Sequence, residues 1–197
     1  MKQCIILFCG ILIHFGCTDK KTKDEQILLR TETARIYSDS TNNRHVKEVE
    51  KESLLFIQKL NTEYLTKEEV KFAKDTFAIH LKNQKRQEYD SSTEGMNNAV
   101  LEMASAYEKL LNQYYNQLRN VLDTADKTAL ETAQKNWQEY CDSEKAFIQI
   151  MADPRYNSGG TMQSNITVGN YFELVKTRTN QLFSHYNSTI EKKESEE

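Results

Sequence analysis

The sequence predicts an all-α protein, an antiparallel helical bundle of long helices preceded by an N-terminal helical hairpin. Three observations lead to this prediction. The chain of 197 residues contains only six glycines and one proline, and a sheet protein would need more of both for its tight turns. Apolar residues recur at intervals of three and four over long segments, which is the helical period. Capping pairs, Ser or Thr followed three residues later by Glu, precede two of these segments.

The first seventeen residues differ in composition from the rest. Lys2 precedes a short apolar run that ends at Gly16 and Cys17, after which the sequence becomes polar. An apolar run of this length is typical of a signal peptide and is too short for a membrane span. Gly16-Cys17 resembles the lipobox of bacterial lipoproteins, although His14 stands where Leu is usual. We interpret residues 1–17 as a lipoprotein signal peptide with Cys17 as the lipidation site; the alternative is a plain secretory signal.

The next two segments are predicted to be a tether and a hairpin. Residues 18–44 are polar and lack a helical pattern, so we interpret them as a flexible tether between membrane and domain. Residues 45–90 show two apolar stripes separated by a break at 61–65. Thr66 and Glu69 form a capping box at the start of the second stripe. These features predict two helices that pack as a hairpin.

The main helical domain is predicted over residues 91–190, followed by a disordered tail over 191–197. Ser91 and Glu94 form a second capping box, and an apolar stripe then continues for about seven turns. Thr124 is the expected N-cap of the next helix, which ends before Pro154. The last helix is expected from Met162 to Tyr186. Such stripes must pack against one another, which gives the bundle.

Two charged residues interrupt the apolar stripes, Glu144 on the penultimate helix and Arg178 on the last one. An unpaired buried charge is costly, so one hypothesis pairs them across the packed helices as a structural polar pair. The alternative is that both side chains extend to solvent at the edges of the stripes. Neither arrangement is an acid/base dyad, because the Arg guanidinium does not titrate in the physiological range.

The sequence offers no reaction chemistry. Its four histidines are scattered, none of them at a metal-binding spacing with a second ligand, so no metal site and no cofactor are predicted. Phosphate-loop and nucleophile-elbow motifs are absent, and no catalytic residue is assigned. The net charge of -3 gives no indication of a basic nucleic-acid-binding surface, so no nucleic-acid partner is predicted. Cys141, the single cysteine after Cys17, is interpreted as a small buried apolar residue.

Between Thr93 and Tyr186 the sequence carries a series of residues at characteristic spacings: Thr93 with Met96-Asn97, Leu130 with Ala133, and Arg178 with Leu182. In order and spacing this series resembles the LprI-type lysozyme-inhibitor domain, a helical family of exported bacterial proteins, whose most specific stretch begins at Leu130 and Ala133. The closing Arg-x-x-x-Leu matches Arg178 and Leu182. The family-motif residues are Asn112, Gln134, Trp137, Tyr140, Asp142, Gly159 and Gly160. The chain departs from the family at Ala99, where a cysteine is usual, and at Cys141, where an arginine is usual.

The resemblance implies a non-enzymatic lipoprotein, exported and lipid-anchored to a bacterial membrane, on its periplasmic side or on the outer-membrane surface. Its implied partner is lysozyme or another envelope protein, and its membrane contact is the lipid on Cys17. Under this interpretation the loop from Pro154 to Met162 is the expected contact surface, because exposed loops on rigid scaffolds commonly carry function. The alternative is a structural or interaction lipoprotein of the envelope without lysozyme-inhibiting activity; a hydrolase ranks last. The sequence leaves the oligomeric state open.

Overall fold

The computed structural model describes residues 39–156 and 162–196, and these form five α-helices with no strand among them. The helices are α1 (Asp39–Lys59), α2 (Lys67–Tyr89), α3 (Thr93–Val121), α4 (Thr124–Met151) and α5 (Met162–Glu194). The all-α prediction is therefore confirmed. The proposed signal peptide with Cys17, most of the proposed tether, and residues 157–161 of the expected contact loop, including Gly159 and Gly160, lie outside the described residues.

The core lies between α3 and α5, which run parallel to each other. Asn97 bonds Ser164 near the start of both helices, and Lys193 reaches the carbonyl of Val121 near their ends. Side chains of both helices are almost fully buried between them: Tyr107, Leu111, Tyr114, Leu118, Val175, Thr179 and Leu182. The two helices of this core pair, α3 and α5, are not consecutive in sequence. The helix that connects them, α4, must therefore run antiparallel to both and lie outside the pair.

The predicted N-terminal hairpin is formed by α1 and α2. Phe56 of α1 stacks on Phe77 of α2 with ring centroids 4.2 Å apart. Lys85 lies 3.1 Å from Glu52 and 3.5 Å from Glu48, which joins the two helices on their polar side. On its other side α2 reaches the core through Phe72, which stacks on Phe183 of α5 at 4.0 Å. The hairpin is thus attached to the bundle through α2.

Two of the predicted helix starts differ from the structure by one residue. The capping box of α2 is confirmed, since Thr66 accepts from the Glu69 amide and the Glu69 carboxylate accepts from the Thr66 amide. At α3 the cap is Ser92 and not Ser91, because Ser92 Oγ accepts the Gly95 amide at 3.0 Å. At α4 the N-cap is Asp123, and Thr124 is the first helical residue.

The outer boundaries of the helical part also differ from the prediction. Helix α1 begins at Asp39, so residues 39–44 are helical and do not belong to a tether. Helix α5 continues to Glu194, well past the expected end at Tyr186 and into the predicted disordered tail. The i,i+4 pair of Lys192 and Glu196 at 2.9 Å and the contact of Lys193 with α3 support these last turns.

The apolar stripe of α4, expected to pack within the bundle, is only partly covered: Leu130 and Trp137 pack against the core from partly exposed positions. Only Cys141 of this helix is buried, at 1% exposure. Tyr140, Phe147 and Met151 occupy further apolar positions of this helix and are 52%, 55% and 40% exposed. The reason is the parallel pairing of α3 with α5, which fills the central core and leaves α4 against the outside of α5. The periodicity identified an apolar face correctly but not what covers it.

Candidate functional site

A groove with a volume of about 470 Å³ lies between helices α4 and α5. We call it the α4–α5 groove. Four side chains of α4 form one wall, and the outward-facing row of α5 forms the other. The lining residues are Trp137, Tyr140, Glu144, Ile148, Asn170, Glu173, Leu174, Thr177 and Gln181. The opposite face of α5 is the one buried against α3.

A hydrogen bond closes one end of the α4–α5 groove. Arg178 Nε donates to Gln134 Oε1 at 3.0 Å, and Arg178 Nη1 lies 3.4 Å from Gln181 Oε1. Burial lowers the pKa of the half-buried Arg178 guanidinium. Gln134 and Gln181 offer neutral carbonyl oxygens, so within the described residues the charge is hydrogen-bonded to amides and not to a carboxylate.

The predicted pair of Glu144 with Arg178 is not formed: in the described part of the chain no ion pair joins them. The register of the antiparallel helices explains this. Lys145, the neighbour of Glu144, places its ammonium group 4.5 Å from the ring centroid of Tyr171. Tyr171 lies seven residues before Arg178, about 10 Å along the helix axis. Glu144 therefore lines the α4–α5 groove near Asn170 and does not form a strut with Arg178.

A three-helix junction fixes the other end of the groove. The Tyr171 hydroxyl of α5 donates to the Glu108 carboxylate of α3 in a short hydrogen bond, and Lys145 of α4 covers the Tyr171 ring. Burial of the Tyr171 hydroxyl is the larger cause, and its hydrogen bond to Glu108 the second, of a pKa far above the usual range of tyrosine. Lys145 also lies 3.6 Å from Asp142. The junction holds α4 at a set position relative to the core pair.

The chemistry of the α4–α5 groove is that of a recognition surface. Trp137 and Tyr140 supply aromatic rings, Ile148 and Leu174 supply apolar contacts, and Glu144 and Glu173 supply carboxylates. Glu173 forms an exposed pair with Lys176 at 3.1 Å. Aromatic side chains beside a few polar groups are typical of binding sites for other molecules. Nothing in this set of lining residues pairs a nucleophile with a base.

Neither a metal site nor a reactive thiol is found elsewhere in the described ranges. Across residues 39–156 and 162–196 no group of His, Cys, Asp and Glu side chains is arranged to hold a metal ion. Burial raises the pKa of the Cys141 thiol, which keeps it in the unreactive protonated form. None of the helices formed by the same residues is apolar over a sufficient length to cross a bilayer.

Comparison with known protein families gives a match over the helices described above. The family described as "Lysozyme inhibitor LprI" matches residues 84–182, half of the chain. The protein belongs to the LprI lysozyme-inhibitor family. No curated protein and no solved structure matches it.

The LprI match starts in the last turns of α2 and ends in α5, so it includes the whole α4–α5 groove. Two family-motif residues, Trp137 and Tyr140, line the groove, and a third, Gln134, closes its end. The remaining two that the structure describes lie outside it. Asp142 is exposed and accepts from Gln138 at 3.3 Å, and Asn112 is exposed on α3.

The α5 wall of the groove was missed by the sequence analysis, which assigned no role to Asn170, Thr177 or Gln181. These residues recur at helical spacing on the side of α5 opposite its apolar stripe. That second, mixed stripe is the signal that could have revealed them. It is weak, because a polar row on a helix is ordinarily just its solvated face.

Proposed function

We propose that this LprI-family protein binds a lysozyme through the α4–α5 groove and blocks it by occupying its surface, without any catalytic step. The observation that carries the proposal is that the groove lies entirely within the matched residues and is lined by family-motif aromatic side chains. An inhibitor of this kind needs only a rigid, partly apolar surface that fits the mouth of the enzyme's cleft. The junctions at Gln134–Arg178 and Glu108–Tyr171–Lys145 provide that rigidity.

The lining residues indicate what the partner must present. Carboxylates of Glu144 and Glu173 beside the rings of Trp137 and Tyr140 favour a basic side chain, which can pair with carboxylate and aromatic face together. The apolar remainder of the groove favours a flanking aliphatic or aromatic contact. A lysozyme surface with exposed Arg or Lys beside its cleft would satisfy both requirements.

We further propose that the protein is exported and anchored to a bacterial membrane by lipid on Cys17. Support comes from the sequence: the short apolar run after Lys2, the Gly16-Cys17 pair and the polar residues that follow. A single cysteine-linked anchor would leave the helical bundle in the aqueous phase, where a soluble lysozyme can reach it. Mass spectrometry of the protein released from membranes tests this directly. An unmodified Cys17, or a mature start elsewhere, would contradict it.

The inhibition test uses residues 18–197, which contain the whole compact unit of residues 37–197. The protein is added in molar excess to lysozymes of several types while they clear a cell-wall suspension. We expect slower clearing with at least one type. Thr177→Arg places a large cation inside the groove from an exposed position and should abolish the inhibition. Asn180→Arg adds the same side chain at an exposed α5 position outside the groove, and should leave it intact.

Two results would count against the proposal in different ways. Clearing at the unperturbed rate with every lysozyme type would remove the inhibitor function. Inhibition that survives Thr177→Arg would keep the function but remove the groove as its site.

The second candidate function is a structural or interaction lipoprotein of the envelope. It is favoured by the α1–α2 hairpin, most of which precedes the family match that begins at residue 84. Helix α1 packs mainly on α2 and exposes Val46, Leu54 and Leu55 to between 42% and 53%. These apolar side chains offer a contact surface that an inhibitor does not require. If no lysozyme is inhibited, this candidate becomes the better account of the chain.

A further inference from the structure

The solvent-facing side of α4 carries an uncharged stripe along its whole length. We call it the outer stripe; it includes Ala125, Ala129, Ala133, Tyr140, Phe147 and Ile150, and each of them is exposed. The stripe extends for about 40 Å along the helix axis. No Asp, Glu, Lys or Arg falls within its roughly 100°-wide sector of the helix surface. In a chain with 28% charged residues, an exposed helix face of this length without charge indicates a packing partner.

Side-chain size is graded along the outer stripe. Its first half consists of small residues, with Ala125, Ala129 and Ala133 at intervals of four. Its second half carries the large side chains of Tyr140, Phe147, Ile150 and Met151, which are 40% to 55% exposed. As a result, small side chains leave one end of the helix surface recessed, and large side chains project from the other end.

A twofold axis at position 138 makes this surface complementary to itself. When a second α4 runs antiparallel across the axis, Phe147 of one copy lies opposite Ala129 of the other, and Met151 lies opposite Ala125. Asn136 lies opposite Tyr140 in the middle. In these three layers a large side chain thus meets a smaller one, as in well-packed helix pairs. A foreign partner would not require this symmetry of the stripe about its own midpoint.

The charges along one edge of the outer stripe fit the same axis. Lys135 and Glu139 border it on one edge, where they are 77% and 68% exposed and 3.9 Å apart within one copy. A twofold axis across an antiparallel pair brings an edge of the helix against the same edge of its mate. Lys135 of one copy then lies about two residues, or about 3 Å along the axis, from Glu139 of the other. In a parallel pair this edge would face the opposite edge of the mate, and the two charges would lose this match.

We propose that a second copy of this chain docks on the outer stripe, with the two α4 helices antiparallel about position 138, to form a homodimer. The inference goes beyond the proposed function, since the α4–α5 groove lies beside the stripe and shares with it only Tyr140. A strip about 40 Å long and 10 Å wide buries roughly 400–600 Å² per copy, at the low end of specific interfaces. The dimer is therefore expected to dissociate on dilution.

The test measures the mass of residues 18–197 by sedimentation over a range from about 1 to about 300 µM, suited to an interface of this size. The wild-type protein should pass from monomer to dimer within this range. Ala129→Glu and Phe147→Lys each place an unpaired charge in the interface and should weaken the dimer about tenfold or more. Leu54→Lys is the matched control, because Leu54 is equally exposed on α1, at 50%, and should leave the dimer unchanged.

Mixing the two variants tests the register. In a one-to-one mixture, the carboxylate introduced by Ala129→Glu in one copy would face the ammonium group introduced by Phe147→Lys in the other, so the proposal predicts that the dimer returns. Circular dichroism checks that each variant is as helical as the wild type. A wild-type protein that stays monomeric throughout overturns the proposal, and so does a dimer that both variants leave intact. Variants that weaken the dimer but do not restore it on mixing also overturn the proposed antiparallel register. The lysozyme assay is read separately, because neither position lines the groove.

Discussion

The hydroxyl of Tyr114 is buried without a hydrogen-bond partner among the described residues. The residue is 0% exposed, and its ring is surrounded by aromatic neighbours. Phe72, Phe183 and Tyr186 have ring centroids 5.5, 5.1 and 6.0 Å away. Burial raises the pKa of Tyr114 far above its usual range, as expected for a hydroxyl that has lost its contact with water. We therefore predict that Tyr114→Phe stabilises the protein.

The magnitude follows from the cost of an unpaired polar group. Removing a hydroxyl from water without a replacement bond costs about 1–3 kcal/mol, and Phe keeps the rest of the packing. We expect Tyr114→Phe to raise the free energy of unfolding by about 1 kcal/mol, or the melting temperature by about 2–4 °C for a domain of this size. Tyr107→Phe is the matched control, because the Tyr107 hydroxyl lies 2.9 Å from His80 Nε2. Losing that bond should lower stability by about 1 kcal/mol.

Urea unfolding of residues 18–197, followed by circular dichroism at fixed protein concentration, measures both variants. The two substitutions should move the midpoint in opposite directions. A loss of stability in Tyr114→Phe as large as that in Tyr107→Phe would refute the reasoning, since it would mean that the buried hydroxyl does make a favourable bond.

Three further predictions concern the cap, the histidine and the cysteine. Thr66→Ala removes the N-cap of α2 and the 2.8 Å bond to Asn187 Oδ1, so stability should fall by about 1–2 kcal/mol in urea unfolding; an unchanged midpoint would contradict the cap's role. Burial and the charge of Lys176 lower the pKa of His80 below 6.5, so the folded protein favours the neutral imidazole. The contribution of neutral His80 to the free energy of unfolding is therefore present above pH 6.5 and is lost on acidification. Wild type should therefore lose more stability than His80→Gln as the pH falls below 6.5, and equal losses would contradict the assignment. Cys141, 1% exposed and the only cysteine in residues 18–197, should react with a thiol reagent far more slowly in buffer than in urea. Equal rates would place the thiol at the surface.

The sequence predicted the helices well because their signals are local. The period of the apolar residues and the capping box at Thr66 and Glu69 depend only on residues a few positions apart. The pairing of helices depends on contacts distant in sequence, and here prediction was weaker. No short-range sequence pattern indicates that α3 packs on α5 in parallel, with Tyr107 and Thr179 in contact. Nor does any such pattern indicate that α4, the intervening helix, lies outside this pair.

The error over Glu144 and Arg178 has the same origin. Both residues interrupt apolar stripes, but a stripe specifies a face of a helix and leaves its axial register undetermined. The structure places Arg178 opposite Gln134 and places Tyr171 beside Lys145. One turn of sliding changes every cross-helix partner. Glu144 lies ten residues, or about 15 Å along α4, from Gln134, which is the observed partner of Arg178. A pairing hypothesis between two helices therefore needs an independent anchor, such as the contact of Lys145 with Tyr171.

The exposed apolar face of α4 connects the partial burial of this helix to function. A stripe with the period of a core helix identifies a surface that has to be covered, whether by the same chain or by another molecule. In this protein the core pair is already complete without α4, so its stripe is free to bind. One side of it, with Trp137 and Tyr140, borders the α4–α5 groove that we assign to the target. The other side is the outer stripe, whose side chains increase in size from Ala125 to Phe147. This side is complementary to the same stripe of a second copy related by a twofold axis. If both assignments hold, Ala129→Glu will change the sedimentation of the protein and leave lysozyme inhibition intact. Thr177→Arg will abolish lysozyme inhibition and leave the sedimentation unchanged.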